Sequence, residues 1–164
     1  MAVTVKNFQL AKAELLRELQ NFRGGLFVTV GIHEDAGQHG QDGITNAQLG
    51  ALLNYGNPHN TLFGHPAPIP ARPWLIPGVE SGTQDIIDTI QDAVMHGATL
   101  DDTMEQIGAF AAGATQTYMT DLKEPPNSEY TIEQKGSSNP LIYHGTLRAS
   151  VTYKVTKDKP EEGI

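Results

Sequence analysis

The sequence predicts an α+β fold in one domain spanning residues 1–164: a small, mainly antiparallel sheet packed by two to three helices, with long Pro/Gly-rich loops or arms. Three observations point there. Two short segments carry β-branched or alternating apolar residues, and three longer ones repeat their apolar residues at steps of three and four. The 17 glycines and 10 prolines break much of the remainder into loops. A chain of 164 residues is long enough for one real core and short for two.

The first helix is expected over 4–23, where Phe8, Ala11, Leu15, Leu19 and Phe22 share a face and Gly24 and Gly25 end it. "LFVTVGI", residues 26–32, reads as a strand, and the polar, Gly-rich "HEDAGQHGQDG" after it as a flexible loop. A short helix follows from Thr45 or Asn46 to Tyr55, stopped by "GNP". Residues 57–73 form an extended loop or arm, too rich in proline for regular structure. A helix restarts at Pro73 or after Pro77; its clear part turns Ile86, Ile87, Ile90 and Val94 inward and lays Asp85, Asp88 and Asp92 along the other side.

Thr99 and Asp102 form a capping-box pattern ahead of the longest helix, Thr99 to Leu122, with Leu100, Met104, Ile107, Ala111, Ala114 and Tyr118 on its apolar face. Its Gly108, Ala109, Ala112 and Gly113 would let another backbone approach closely. Pro125 and Pro126 break it. "SEYTIEQKG" and "GTLRAS" read as single helical turns, "VTYKV" as a strand, and 156–164 as a charged tail. Two strands make a poor sheet, so further strands are expected within the loops or from a neighbouring chain.

Composition narrows the function. Without cysteine there is neither a disulfide framework nor a thiolate metal site. No segment reads as a signal peptide or membrane span, so the expected location is the cytoplasmic side. The net charge of −8 is concentrated in the middle: Gly24 to Leu122 holds eleven Asp and Glu against one basic residue, Arg72. A surface that neutralises phosphates needs clustered Lys and Arg, so the central body is no ordinary nucleic-acid binder.

Catalytic patterns are sparse. "GxSxG", "GxxxxGK[ST]" and "GxGxxG" are absent. His33, Glu34, Asp35 and His39 make the most metal-like cluster, but the histidines are six residues apart in a loop, unlike the helical "HExxH" step. The carboxylates of Asp85, Asp88 and Asp92 read best as a solvated acidic face, with no lysine four residues along to balance it.

The most unusual stretch is "HPAPIPARPWLIPG", residues 65–78, with five of the ten prolines around Arg72 and the single tryptophan. Alternating proline holds such a strip extended, so little entropy is lost when it lies against a surface. That surface is either this protein's own core or an identical neighbour, with Trp74 as the buried anchor and Arg72 donating to a carboxylate.

In order along the chain, "VGIHEDAG", "TNAQLGALLNYGNP", "IPARPWL" and "PPNSEYTIEQKGSSNPLIYHGTLRASVTYKV" resemble the signature segments of the neck and tail-completion proteins of tailed bacteriophages. The resemblance covers about Val28 to Val155 and departs from the family pattern at Tyr143 and His144, where aspartate and threonine are usual. It implies a structural virion protein and no enzyme, with no cofactor and no metal: a homo-oligomeric ring, sixfold or twelvefold, at the head-tail junction. Such a ring is assembled in the host cytoplasm and joins tail tube to head connector around a channel that DNA passes without specific binding, with no membrane involved.

On this reading Tyr55, Pro70, Arg72, Pro73, Trp74 and Arg148 are the expected subunit-contact or structural residues, and Asp85, Asp88 and Asp92 the expected channel-facing stripe. Two alternatives stand beside it. One is a metal-dependent hydrolase built on His33, Glu34 and His39, and the other a monomeric adaptor binding a partner through the proline strip.

Overall fold

The computed structural model describes residues 24–39, 43–142 and 145–160. The expected N-terminal helix, residues 4–23, lies outside them, as do Tyr143, His144 and the last four residues of the tail. The architecture is α+β, with a two-stranded antiparallel sheet lying on a long central helix and further helices on that helix's other side. Strand β1 (Phe27–Gly31) pairs with β4 (Thr152–Thr156), Phe27 opposite Thr156 and Gly31 opposite Thr152. Thr156, expected in the charged tail, is therefore the last residue of a strand. Between these strands come α1 (Asn46–Tyr55), the hairpin strands β2 (Thr61–Leu62) and β3 (His65–Pro66), α2 (Leu75–Ser81), α3 (Thr83–His96), α4 (Leu100–Asp121), α5 (Glu129–Lys135) and α6 (Thr146–Ala149).

Local sequence explains the boundaries. Thr45 and Gln48 make a complete capping box at the start of α1, each side chain bonding the other's backbone N–H. Thr99 caps α4 through the Asp102 N–H, but the Asp102 carboxylate accepts from the Thr99 hydroxyl instead of reaching the backbone. Ser128 caps α5, and left-handed Gly97 and Gly136 close α3 and α5. The single helix expected beyond Pro73 is two, divided at Gly82. Pro77 falls within the first turn of α2, where its missing N–H breaks no helical bond.

The loop after β1 is tied down instead of flexible where it is described. A 3-10 turn covers Glu34–Ala36, the His39 N–H donates to the Ile44 carbonyl, and the Asn46 N–H donates to the Gly37 carbonyl. Buried Asn46 completes the tether, its amide donating to the Ala36 carbonyl while its oxygen meets His39 Nδ1.

The core gathers Trp74, Met119, Leu141, Leu147 and Val151, with Ile32, Leu49, Leu53, Leu75 and Leu122 around it. On α4 the buried residues are Thr103, Gly108, Ala111, Ala112, Thr115 and Met119, so of the expected line only Ala111 is fully buried, while Leu100, Met104, Ile107, Ala114 and Tyr118 are half-buried and the covered face is turned from them. Thr103 and Thr115 fit inside because each hydroxyl donates to the carbonyl four residues back.

The small residues of α4 do admit close neighbours, and these belong to the same chain. Gly108 lies under the Tyr153 ring, where a Cβ would overlap it. Gly78 of α2 meets Thr115 backbone, and Gly82 meets Ala114, at 2.9 and 2.8 Å from where their own Cβ atoms would sit. This close seating also decides which face of α3 is covered. Gly82, Thr89 and Ala93 are buried and Ile86 half-buried, while Ile87 and Ile90 are about two-fifths exposed instead of inward. Thr89 tolerates burial by donating to the Asp85 carbonyl.

Candidate functional site

Parts of "TNAQLGALLNYGNP", "IPARPWL" and "PPNSEYTIEQKGSSNPL", far apart in sequence, meet at one joint. Its first part is the end of α1. The Asn54 side-chain oxygen accepts from the N–H of Trp74 at 3.0 Å and of Leu75 at 3.3 Å, capping the start of α2 from outside. Gly56, at φ +73°, brings the chain against the proline strip so closely that a Cβ would lie 2.6 Å from both the Ala71 nitrogen and the Ile69 carbonyl oxygen. The Arg72 N–H donates to the Leu53 carbonyl, locking strip to helix.

Within the strip the alternation of an extended chain changes phase at Ala71, since Pro70 and Ala71 are both exposed. Pro66, Pro68, Pro70 and Pro73 face solvent, while Arg72 and Trp74 are buried at 4% and 3% exposure. Trp74 Nε1 donates to the Gly50 carbonyl at 3.0 Å, and its ring lies 3.2 Å from the place a Cβ on Gly50 would take. Both anchors therefore sit within their own chain. Pro70 and Pro73 are outward-facing, and Tyr55 is 58% exposed.

Among the described residues Arg72 pairs with no carboxylate. Its Nε donates to the Pro125 carbonyl at 2.8 Å and one Nη to the Pro126 carbonyl at 2.9 Å, with Asn127 Oδ1 at 3.4 Å. A planar fork matches two successive carbonyls well, and the proline pair has no N–H groups to turn inward in their place. Burial lowers the Arg72 pKa from its ordinary value, and it lowers that of Lys135 as well, with the Arg72 charge adding to the effect. Lys135 Nζ donates to the Asn139 and Pro140 carbonyls.

Asn139 is a joint residue that sequence reasoning missed. Its amide donates to the Thr120 carbonyl and its oxygen accepts from the N–H groups of Leu141 and Ile142, holding the "NPL" turn on the end of α4. An asparagine immediately before proline was the available signal. Arg148, on exposed α6, donates to the Thr120 hydroxyl at 3.2 Å and leaves most of its side chain in solvent.

The arm also escapes periodicity. Residues 57–69 form a hairpin, opened by an Asn57–Ile69 bridge, with β2 and β3 beyond it and Leu62, Phe63 and Gly64 at the tip. Asn60 stabilises it from inside, accepting from and donating to Ala67. The strands are only two residues each, too short for any alternation to register.

Asp85, Asp88 and Asp92 are all exposed on one flank of α3, as expected, and only Asp88 has a side-chain partner, Gln84, among the described contacts. The histidine cluster is dispersed. His33 meets the hydroxyls of Thr29 at 3.1 Å and Thr152 at 3.0 Å, whereas His39 meets Asn46. Glu34 is exposed, and Asp35 pairs with Lys154 at 2.8 Å. Among the described residues no group of three His, Asp or Glu side chains is gathered closely enough to hold a metal ion, and no helix is long and apolar enough to cross a membrane.

His33 supplies a pH prediction. Burial, and secondarily the Lys154 charge, lower its pKa from the ordinary 6.5, with Asp35 opposing them. The unfolded chain therefore binds the proton more tightly than the folded one. The contribution of neutral His33 is fully present above 6.5 and is lost as pH falls below that value. An NMR titration should place the midpoint of its ring resonances below 6.5, and His33→Gln should flatten that part of the stability profile. A midpoint above 6.5 would contradict the arrangement.

No protein-family model, curated protein or solved structure matches the chain.

Proposed function

We propose that this protein is a structural component of a tailed-bacteriophage virion, forming a homo-oligomeric ring, sixfold or twelvefold, at the head-tail junction, where it completes the tail or builds the neck. It joins tail tube to head connector around the DNA channel and performs no catalysis.

The observation that carries this reading is the way the resembling segments cohere. "NYG", "IPARPW", "PPN" and "NPL" are not scattered surface matches: Asn54, Gly56, Arg72, Trp74, Pro125, Pro126 and Asn139 meet in one bonded joint. A joint that clamps both ends of an extended strip supports a projecting arm, and closed rings of identical subunits use such projections for their head-to-tail contacts.

The acidic side of the body fits the same role. Asp88 and Asp92 of α3 stay in solvent with no Lys or Arg on the same helix, and a wall of this charge repels DNA phosphates so that the strand slides. Negative-stain class averages of the purified protein, alone and mixed with tail tubes, should show annular particles with a central hole, free or capping tube ends. Uniform single-chain particles that never associate with tubes would refute the proposal.

A further inference from the structure

Among the described residues, neither the arm nor a groove on α4 is covered by another element of the chain. At the arm tip Phe63 and Gly64 have φ of +52° and +80°, the pair of left-handed residues that a type I′ hairpin turn requires. Asparagine or glycine ordinarily fills the first of these positions, because a larger side chain is strained there. Phe63 is nevertheless present and 84% exposed, beside Leu62 at 41%. Neither the backbone nor hydration favours phenylalanine at this point, and among the described elements β2 and β3 pack extensively only on each other. A phenylalanine displayed in this way needs a surface outside the chain.

The groove lies on α4 beside the start of α3, between Ser81 and Asp85 on one side and Phe110 to Asp121 on the other. It is a hollow of about 470 Å³ with Ala109, Gly113 and Ala114 as its floor and half-exposed Phe110 and partly buried Tyr118 as walls. Through Tyr118 and Asp121 it runs into a second hollow of about 480 Å³ beside Pro73 and Pro77. Nothing lies within 4 Å of the place a Cβ on Gly113 would occupy.

The arm brings no negative charge to the acidic edge of the groove. Residues 57–69 contain no Asp, Glu, Lys or Arg and carry His59 and His65, while the first hollow is edged by Asp85 and Asp121 with no base. Histidine N–H groups beside carboxylates attract, and no like charges meet.

We propose that Phe63 and Leu62 of one subunit seat in the α4 groove of a second copy, joining identical chains head to tail. The two surfaces differ, so the contact is heterologous and each chain offers one arm and one groove. Closure of such a series into a ring rests on the functional reading above; the contact itself does not. Asp85 then lies at the subunit boundary, leaving Asp88 and Asp92 free.

The test is sedimentation velocity over a concentration series with wild type, Phe63→Ser and Gly113→Leu. Phe63 is exposed and Gly113 faces open space within a helix, so both variants should unfold at wild-type denaturant concentration. Each should weaken self-association by roughly tenfold or more, as loss of an aromatic anchor or its pocket does. Mixed one to one they should form pairs and stop there, since the serine variant retains a groove and the leucine variant an arm. Wild-type-like association of either variant, a mixture that stays monomeric, or a wild type that never associates would each overturn the contact. Rings that persist in both variants would sink this contact and leave the ring reading standing. Open chains that depend on Phe63 and Gly113 would do the reverse.

Discussion

Replacing Trp74 with alanine is expected to lower the unfolding free energy by about 3–5 kcal/mol, the range seen when a large aromatic is removed from a core. The side chain is 3% exposed and packs with Met119, Leu141, Leu147 and Val151, so its removal opens a cavity within the core. It also removes the indole bond to the Gly50 carbonyl. Trp74→Phe retains most of the apolar surface but not that bond, and should cost about 1–2 kcal/mol. Denaturant titration followed by far-UV circular dichroism measures both, since the substitution removes the only tryptophan. Near-native stability of the alanine variant would mean that Trp74 is not the keystone of the joint.

The second large effect is expected at Arg72. Arg72→Met keeps the apolar stem and removes the fork that holds Pro125 and Pro126. Hydrogen bonds from a charged donor contribute about 1.5–3 kcal/mol each, and some of that returns when water reaches the freed carbonyls, so a net loss of about 2–4 kcal/mol is expected. Arg72→Lys should recover less than half of it, because an ammonium presents no planar fork to two neighbouring carbonyls. Amide exchange should accelerate between Leu122 and Asn127 in the methionine variant. Unchanged exchange there, with unchanged stability, would contradict the clasp.

These two residues also show what the sequence makes legible. Trp74 is the single tryptophan and Arg72 the one Lys or Arg between Gly24 and Leu122, both within a proline-rich strip, so the amino-acid order by itself singles out both. Their partners are not marked, because Gly50, Pro125 and Pro126 act through carbonyl oxygens, which every residue possesses. The surrounding acids make a carboxylate the expected partner of Arg72, yet its guanidinium meets carbonyls brought together only by the tertiary fold.

Helix existence is equally readable at α1 and α4, where caps and periodicity agree, and at α3 from periodicity alone, which leaves its start at Gly82 unmarked. The covered faces of α3 and α4 are less so. Apolar spacing selects Ile87 and Ile90, whereas close approach through Gly82, Thr89 and Ala93 selects the face beside them. The arm is legible only as an interruption, since two-residue strands and a left-handed Phe63 leave no pattern.

The central claim is a closed ring of identical subunits, and native mass spectrometry of the purified full-length chain tests it most directly, alone and after incubation with tail tubes. The account predicts one dominant species at a fixed multiple of the 17.7 kDa chain, sixfold or twelvefold, with no stoichiometric metal. A single-chain mass under both conditions, or a metal-bearing monomer, would contradict it.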